Sequence, residues 1–283
     1  MATDLATPFD RSERQIWRGS ADAYARSFAH LCAHLAPDLL DAVLADGDRT
    51  PRLLDVGTGT GTVALGAHER GADVVACDAD PGMVAAAVAS AGVGGAPRLP
   101  GVVAALPALP FADGSFDAVT AGFVLNHVGR PRAAATELAR VVRPGGRVAA
   151  TIWAAPPAAG QTLVGRALAA AGIERPASFP ALDRDDDFPR TVDGLAEVLR
   201  GAGLVDVVVE ERRWEHRVDA DTWWAGPASG VATTGKTLTS AAPEAQASAR
   251  AHFERLADEL RADDGLLALP HVALLGYGQR LHG

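Results

Sequence analysis

Two spacings alternate through the first half of the chain. Leu53-Leu54-Asp55-Val56 and Val74-Val75-Ala76-Cys77 are short aliphatic runs, and the residues between them place apolar side chains at helical intervals. The pattern predicts strands at 52–56, 73–78, 101–105 and 116–121, and another at 147–153 after a turn at Pro144-Gly145-Gly146. Helices are predicted at 60–69 and from Pro81 onward, with Asp80 as N-cap and the proline in the first turn. Upstream, Ile16, Tyr24, Phe28, Leu31 and Leu35, then Leu39, Leu40 and Val43, read as two helices within 12–45 that part at Pro37.

Beyond Trp153 the rhythm loosens. A helix at 161–172, an acidic surface turn at Asp183–Asp187, a helix at 195–200 and a strand at 204–209 are followed by an amphipathic helix at 243–262 and an antiparallel strand at 267–277. Strands alternating with helices predict an α/β fold: a Rossmann-like, seven-stranded, mostly parallel sheet with right-handed crossovers and helices on both faces. A ligand then belongs at the carboxyl ends of the strands. The chain reads as one domain (1–283), with lid helices at 1–50 and a cofactor-binding core at 51–153. Substrate cap segments are expected at 154–190 and 214–263, and the last strands at 204–213 and 266–278.

Composition narrows the field. The 283 residues, 48% hydrophobic, suffice for a full core. The formal net charge is −9 and Lys236 is the sole lysine, a balance opposed to neutralising nucleic-acid phosphates. No run reaches the ~18 apolar residues of a membrane span, and the first residues lack the order of a secretion signal, so a cytoplasmic protein is expected. Two cysteines, Cys32 and Cys77, offer neither a disulfide framework nor a metal cluster and read as small core residues.

The candidate chemistry begins where the first strand ends. Gly57, Gly59 and Gly61 follow Asp55 on alternate positions, and Asp78 stands 21 residues after Gly57. Glycines there let the backbone turn through positive φ and let a ligand approach where a Cβ would collide. An acid about 20 residues on can accept hydrogen bonds from ribose hydroxyls. A dinucleotide loop spaces its third glycine one place later, so the pattern favours a nucleoside over a pyrophosphate.

Asp55-x-Gly57-x-Gly59-x-Gly61 resembles the first motif of class I S-adenosylmethionine-dependent methyltransferases. Leu109-Pro110-Phe111-x-Asp113-Gly114-Ser115-Phe116-Asp117, Asn126-His127-Val128 and Glu137-Leu138-x-Arg140 through Gly145-Gly146 follow that superfamily's order over residues 52–152. The resemblance implies that Gly57, Thr58, Gly59 and Gly61 hold the methionine part of S-adenosylmethionine, with Asp55 orienting it. Asp78 and Ala79 would meet the ribose, Met83 the adenine face, Ala105 and Leu106 the ring edge, with Phe123 alongside. Where many relatives carry Gly-Asp-Ala, this chain has Ala104-Ala105-Leu106, so an acceptor for the adenine amino group is missing. Tyr24, in a segment similar to a methyltransferase lid, would touch the cofactor.

Methyl transfer needs alignment of the acceptor and, where the nucleophile carries a proton, a base. His127 is the leading base, with His30 and His34 behind it. Trp153, Phe179, Trp214, Trp223 and Trp224 stand out in a chain only 5% aromatic and suggest a planar or hydrophobic acceptor, with two of them in contact with it. The expected activity is methylation of O, N or C on a small aromatic or secondary metabolite, releasing S-adenosylhomocysteine, by a monomer or homodimer. A cyclase or rearrangement enzyme using the same pocket, a nicotinamide oxidoreductase and a non-catalytic sensor are the alternatives.

Overall fold

A computed structural model of the chain describes residues 6–44, 50–91 and 99–281. Residues 1–5 and 45–49 of the expected lid segment, 92–98 of the expected cofactor-binding core and 282–283 of the expected single domain lie outside the described residues. Seven strands, β1 (Arg52–Val56), β2 (Asp73–Asp78), β3 (Gly101–Val103), β4 (Phe116–Gly122), β5 (Val142–Trp153), β6 (Leu204–Val218) and β7 (Leu267–Arg280), form one sheet in the order β3-β2-β1-β4-β5-β7-β6. The first five run parallel, and β7 is antiparallel to both β5 and β6. The Rossmann-like α/β architecture is the one the alternation predicts.

Both faces of the sheet are covered, which is why its central strands read as unbroken apolar runs. One face carries α4 (Ala36–Val43), α5 (Thr62–Glu69) and α6 (Pro81–Ala91), whose Leu39, Leu40, Ala64 and Ala87 meet Leu53 and Val74. On the other, Leu138 of α7 (Pro131–Val141) and Leu195 and Leu199 of α9 (Val192–Gly201) pack with Leu54, Val119 and Ile152. The later motifs serve this frame. The Arg140 guanidinium donates to Asp113 Oδ1 (2.7 Å) and the Phe111 carbonyl (2.8 Å), and Glu137 accepts from the Leu109 amide (2.6 Å), pinning the loop that follows Leu106.

Several boundaries differ from the sequence expectation. The N-terminal segment forms α1 (Pro8–Trp17), α2 (Ala21–Ala25), α3 (Phe28–Cys32), a 3₁₀ turn (Ala33–Leu35) and α4, not two helices. Pro37 lies in the first turn of α4, where a missing N–H costs nothing, so it opens a helix instead of dividing one. β3 stops at Val103. β5 begins at Val142, and Pro144-Gly145-Gly146 forms a bulge inside it, the register passing from Phe116↔Val142 to Ala118↔Arg147.

The largest difference is β6, which runs 15 residues to Val218, past both the 204–209 strand core and the 204–213 bound that were expected. Its outer part pairs with β7 from Arg213↔Val272 to Val218↔Leu267, so Trp214 belongs to a strand and not to a cap segment. On this ribbon sit α8 (Ala159–Ala170), α10 (Ala220–Ala228), α11 (Ala232–Thr239) and α12 (Pro243–Asp258), joined through a separate core of Leu163, Leu168, Trp223, Phe253, Leu267 and Leu269. Among the described residues no helix is long and apolar enough to cross a membrane.

Candidate active site

β1 ends in a bend whose glycines do two different jobs. Gly57 has φ +68°, and a Cβ there would sit 2.6 Å from Val124 Cγ2. Gly61 has φ +95°, but its missing Cβ would meet the Cα and Cβ of Ala87 on α6 at 3.0 Å. Gly61 thus lets two helices close on each other and does not face the cavity, contrary to the expectation that all three glycines touch the ligand.

Two carboxylates stiffen the bend. Asp78 Oδ2 accepts from the Gly59 amide and Oδ1 from the Asp80 amide, both at 2.9 Å, and burial raises its pKa. Asp80 in turn caps α6 by accepting from the Met83 amide at 3.0 Å. Asp55, 1% exposed, accepts from Thr120 Oγ1 (2.8 Å) and Thr58 Oγ1 (2.7 Å), and desolvation lifts its pKa to about 6 despite those bonds. Asp55 and Thr58 border only a side crevice of about 40 Å³, so they act as the internal brace of the bend.

The main cavity measures about 490 Å³. At one end Gly57, Gly59, Asp78, Ala79 and Met83 face Ala105 and Leu106. At the other, Trp153 and Trp223 meet Gln161, Thr234 and His271, and α1 adds Asp10, Glu13 and Arg14 to the wall. Tyr24, Phe123 and His127 also line the cavity. Tyr24 hangs over the bend, 3.3 Å from where a Gly59 Cβ would be, and burial, with Cys32 beside it, drives its pKa well upward. Cys32 lines the cavity and is not simple core filler, whereas Cys77 is fully buried.

Beyond β4, Phe123 takes a left-handed turn (φ 59°) into the 3₁₀ segment Val124–His127. Its amide donates to Thr151 Oγ1 at 3.0 Å, its ring stacks on Trp153 at 4.2 Å, and Asn126 Oδ1 accepts from the Trp153 amide at 3.1 Å. This lock projects His127 toward the lid, where its Nδ1 lies 2.8 Å from Glu13 Oε2. Trp17 Nε1 donates to the same oxygen at 3.2 Å. Glu13 escaped sequence reasoning, and Trp17 was visible only as the first residue of the lid-like segment that contains Tyr24; the four-residue spacing that puts both on one face of α1 is the signal that could have joined them.

The other expected residues fall elsewhere. Neither His30 nor His34 lines the cavity; His34 Nε2 sits 3.2 Å from His216 Nδ1. Of the five aromatics singled out, Trp153 and Trp223 reach the cavity wall, while Phe179, Trp214 and Trp224 do not. Trp214 stacks behind them against His271, with ring centroids 5.7 Å apart. Burial lowers the pKa of His216 and of His271 to about 4.

Residues 54–150 match the family model of a methyltransferase domain. A demethylmenaquinone methyltransferase of Beutenbergia cavernae is 38% identical over 161 residues, 54% of this chain and 65% of that protein. The chain thus aligns with less than two thirds of the length of that curated relative. Among solved structures, the YcgJ protein of Bacillus subtilis superposes with a TM-score of 0.57 at 21% identity, covering 88% of this chain and 99% of that one. A phosphoethanolamine N-methyltransferase 2 of Haemonchus contortus, solved with S-adenosylhomocysteine, gives 0.57 at 14% identity, covering 95% and 60%. These structural likenesses concern the fold.

Proposed function

We propose that this chain, whose residues 54–150 match the family model of a methyltransferase domain, is a class I S-adenosylmethionine-dependent methyltransferase that methylates a planar aromatic acceptor bearing a ring hydroxyl, of the quinol or phenol class. The observation that carries this reading is that one continuous cavity is lined by the Gly57–Gly59 bend, by Trp153 and Trp223, and by His127.

The cofactor end suits an adenosyl sulfonium. Asp78 is desolvated, and each oxygen keeps acceptor capacity for a ribose hydroxyl beside the backbone amide it already holds. Met83 and Leu106, both buried, offer apolar surface on either side of a planar base. Gly57 and Gly59 line the cavity, and their missing side chains let Val124 and Tyr24 close on the bend. When bound, the cofactor supplies the electrophilic methyl group and departs as S-adenosylhomocysteine.

The protein's own work is alignment and proton handling. Tyr24 and the lid helices shield the cavity from water, and the tryptophan wall holds an aromatic ring by its faces. His127 accepts the hydroxyl proton as the acceptor's nucleophile is methylated, after which the imidazolium returns that proton to solvent. The name of the B. cavernae relative adds support for a quinone-type ring.

Incubation with methyl-labelled S-adenosylmethionine and 1,4-naphthoquinol tests the proposal. Labelled product and S-adenosylhomocysteine should appear in equal amounts, and His127→Gln should slow their formation by about 100-fold, the lower range for a general base. Product without S-adenosylhomocysteine would point to a rearrangement enzyme.

A further inference from the structure

We propose that Glu13 is a positioning residue for the reaction, and that the base is completed only when the lid helix α1 is docked. The inference rests on the reading of His127 given above. Glu13 reaches His127 from 114 positions away in sequence, and its side chain is only 7% exposed while that of His127 is 35% exposed. An ionised carboxylate can only accept, so at 2.8 Å the imidazole Nδ1 must carry the hydrogen. Nε2 is then left with its lone pair free to take a proton. The indole N–H of Trp17 on the same oxygen fixes the carboxylate's rotamer.

A plain lid clamp is the competing explanation, but α1 already has one. Asp10, one turn before Glu13, accepts from the Gly129 amide at 2.6 Å and closes a capping box with Thr7. The two carboxylates on that face therefore divide the work: Asp10 grips backbone just past His127, and Glu13 addresses the imidazole.

Trp17 joins this arrangement to the cofactor site. Its ring meets His127 edge-on at 5.3 Å and Tyr24 edge-on at 5.7 Å, and Tyr24 covers the Gly59 bend. Docking of the lid thus places Tyr24 over the cofactor and orients the base in one movement. Before docking, the imidazole lacks the carboxylate that selects its tautomer.

The test uses the full chain with Glu13→Leu, Glu13→Asp and Asp10→Asn. Leucine keeps roughly the volume of the side chain but offers Nδ1 no acceptor. Nitrogen-15 NMR of His127 across a pH series should show the Nδ1–H tautomer in the neutral ring of the wild type and its loss in Glu13→Leu. The tautomer should be unchanged in Asp10→Asn. With 1,4-naphthoquinol and S-adenosylmethionine, Glu13→Leu should lower kcat by about 100-fold. Glu13→Asp should restore part of it, and calorimetric affinity for S-adenosylhomocysteine should stay within about threefold in both, well under the tenfold that 1.4 kcal/mol represents. Retention of the Nδ1–H tautomer in Glu13→Leu, or a fall in S-adenosylhomocysteine affinity matching the fall in kcat, would overturn the proposal. If the wild type forms no methylated quinol, the acceptor reading fails, while the tautomer measurement still decides the role of Glu13.

Discussion

The two ends of the cavity are built on opposite plans. At the cofactor end the working atoms are backbone amides and carboxylates, and the side-chain oxygens of Asp55 and Asp78 are hydrogen-bonded within the protein. At the acceptor end the wall is aromatic, and Trp214 Nε1, Trp223 Nε1 and His271 Nε2 are buried without a hydrogen-bond partner. Buried polar groups normally find partners, so an end that leaves three unsatisfied gives up stability that the other end keeps. The contrast fits a pocket whose cofactor meets a stiff, hydrogen-bonded bend and whose acceptor meets a less settled surface.

The sharpest way to break this comparison is to damage one end alone. Trp223→Ala removes a 4%-exposed side chain from the cap core and should cost about 3–5 kcal/mol in urea unfolding. S-adenosylhomocysteine affinity should hold within about threefold, less than 1.4 kcal/mol. Loss of that affinity in parallel would mean that the two ends are not separate structures.

A smaller effect follows from titration. His216 and His271, lowered to about 4, contribute stability that is complete above the ordinary histidine value of 6.5 and lost as pH falls through about 4, at most about 3 kcal/mol for the fully buried His271. Asp55, raised to about 6, runs the other way: its contribution is complete below the ordinary 3.8 and lost as pH rises through about 6. Thermal stability should therefore drop between pH 6.5 and 4 through the acceptor end, with the cofactor end offsetting part of it. His271→Phe should flatten the drop and Asp55→Asn should steepen it; identical slopes in all three proteins would contradict the assignment.

The smallest effect concerns the ring edge. Ala105 lines the cavity at the position where the methyltransferase resemblance implies an aspartate, so Ala105→Asp should tighten S-adenosylmethionine binding by about 1 kcal/mol, the value of one added hydrogen bond. Calorimetry that shows no gain would place the adenine elsewhere.

The order of strands and helices, the positive-φ bend, the Asp80 cap and the approach of Asp78 to that bend were legible from residue types and spacing alone. Each depends on interactions within a strand, a turn or one β-α-β unit, where glycine's freedom, an acid's capping geometry and burial on both sheet faces act locally. Tertiary structure decided the rest. Which glycine faces the cavity depended on how closely α6 approaches Gly61. Whether Pro144-Gly145-Gly146 ends a strand or bulges within one depended on its partner β4, and the length of β6 depended on β7 pairing along its whole course. Glu13, Trp17 and His127 meet only after the sheet has formed and the N-terminal helices have folded across its edge. Such contacts carry no short-range signature, since the chain's own geometry limits nearby residues tightly and leaves distant ones to packing.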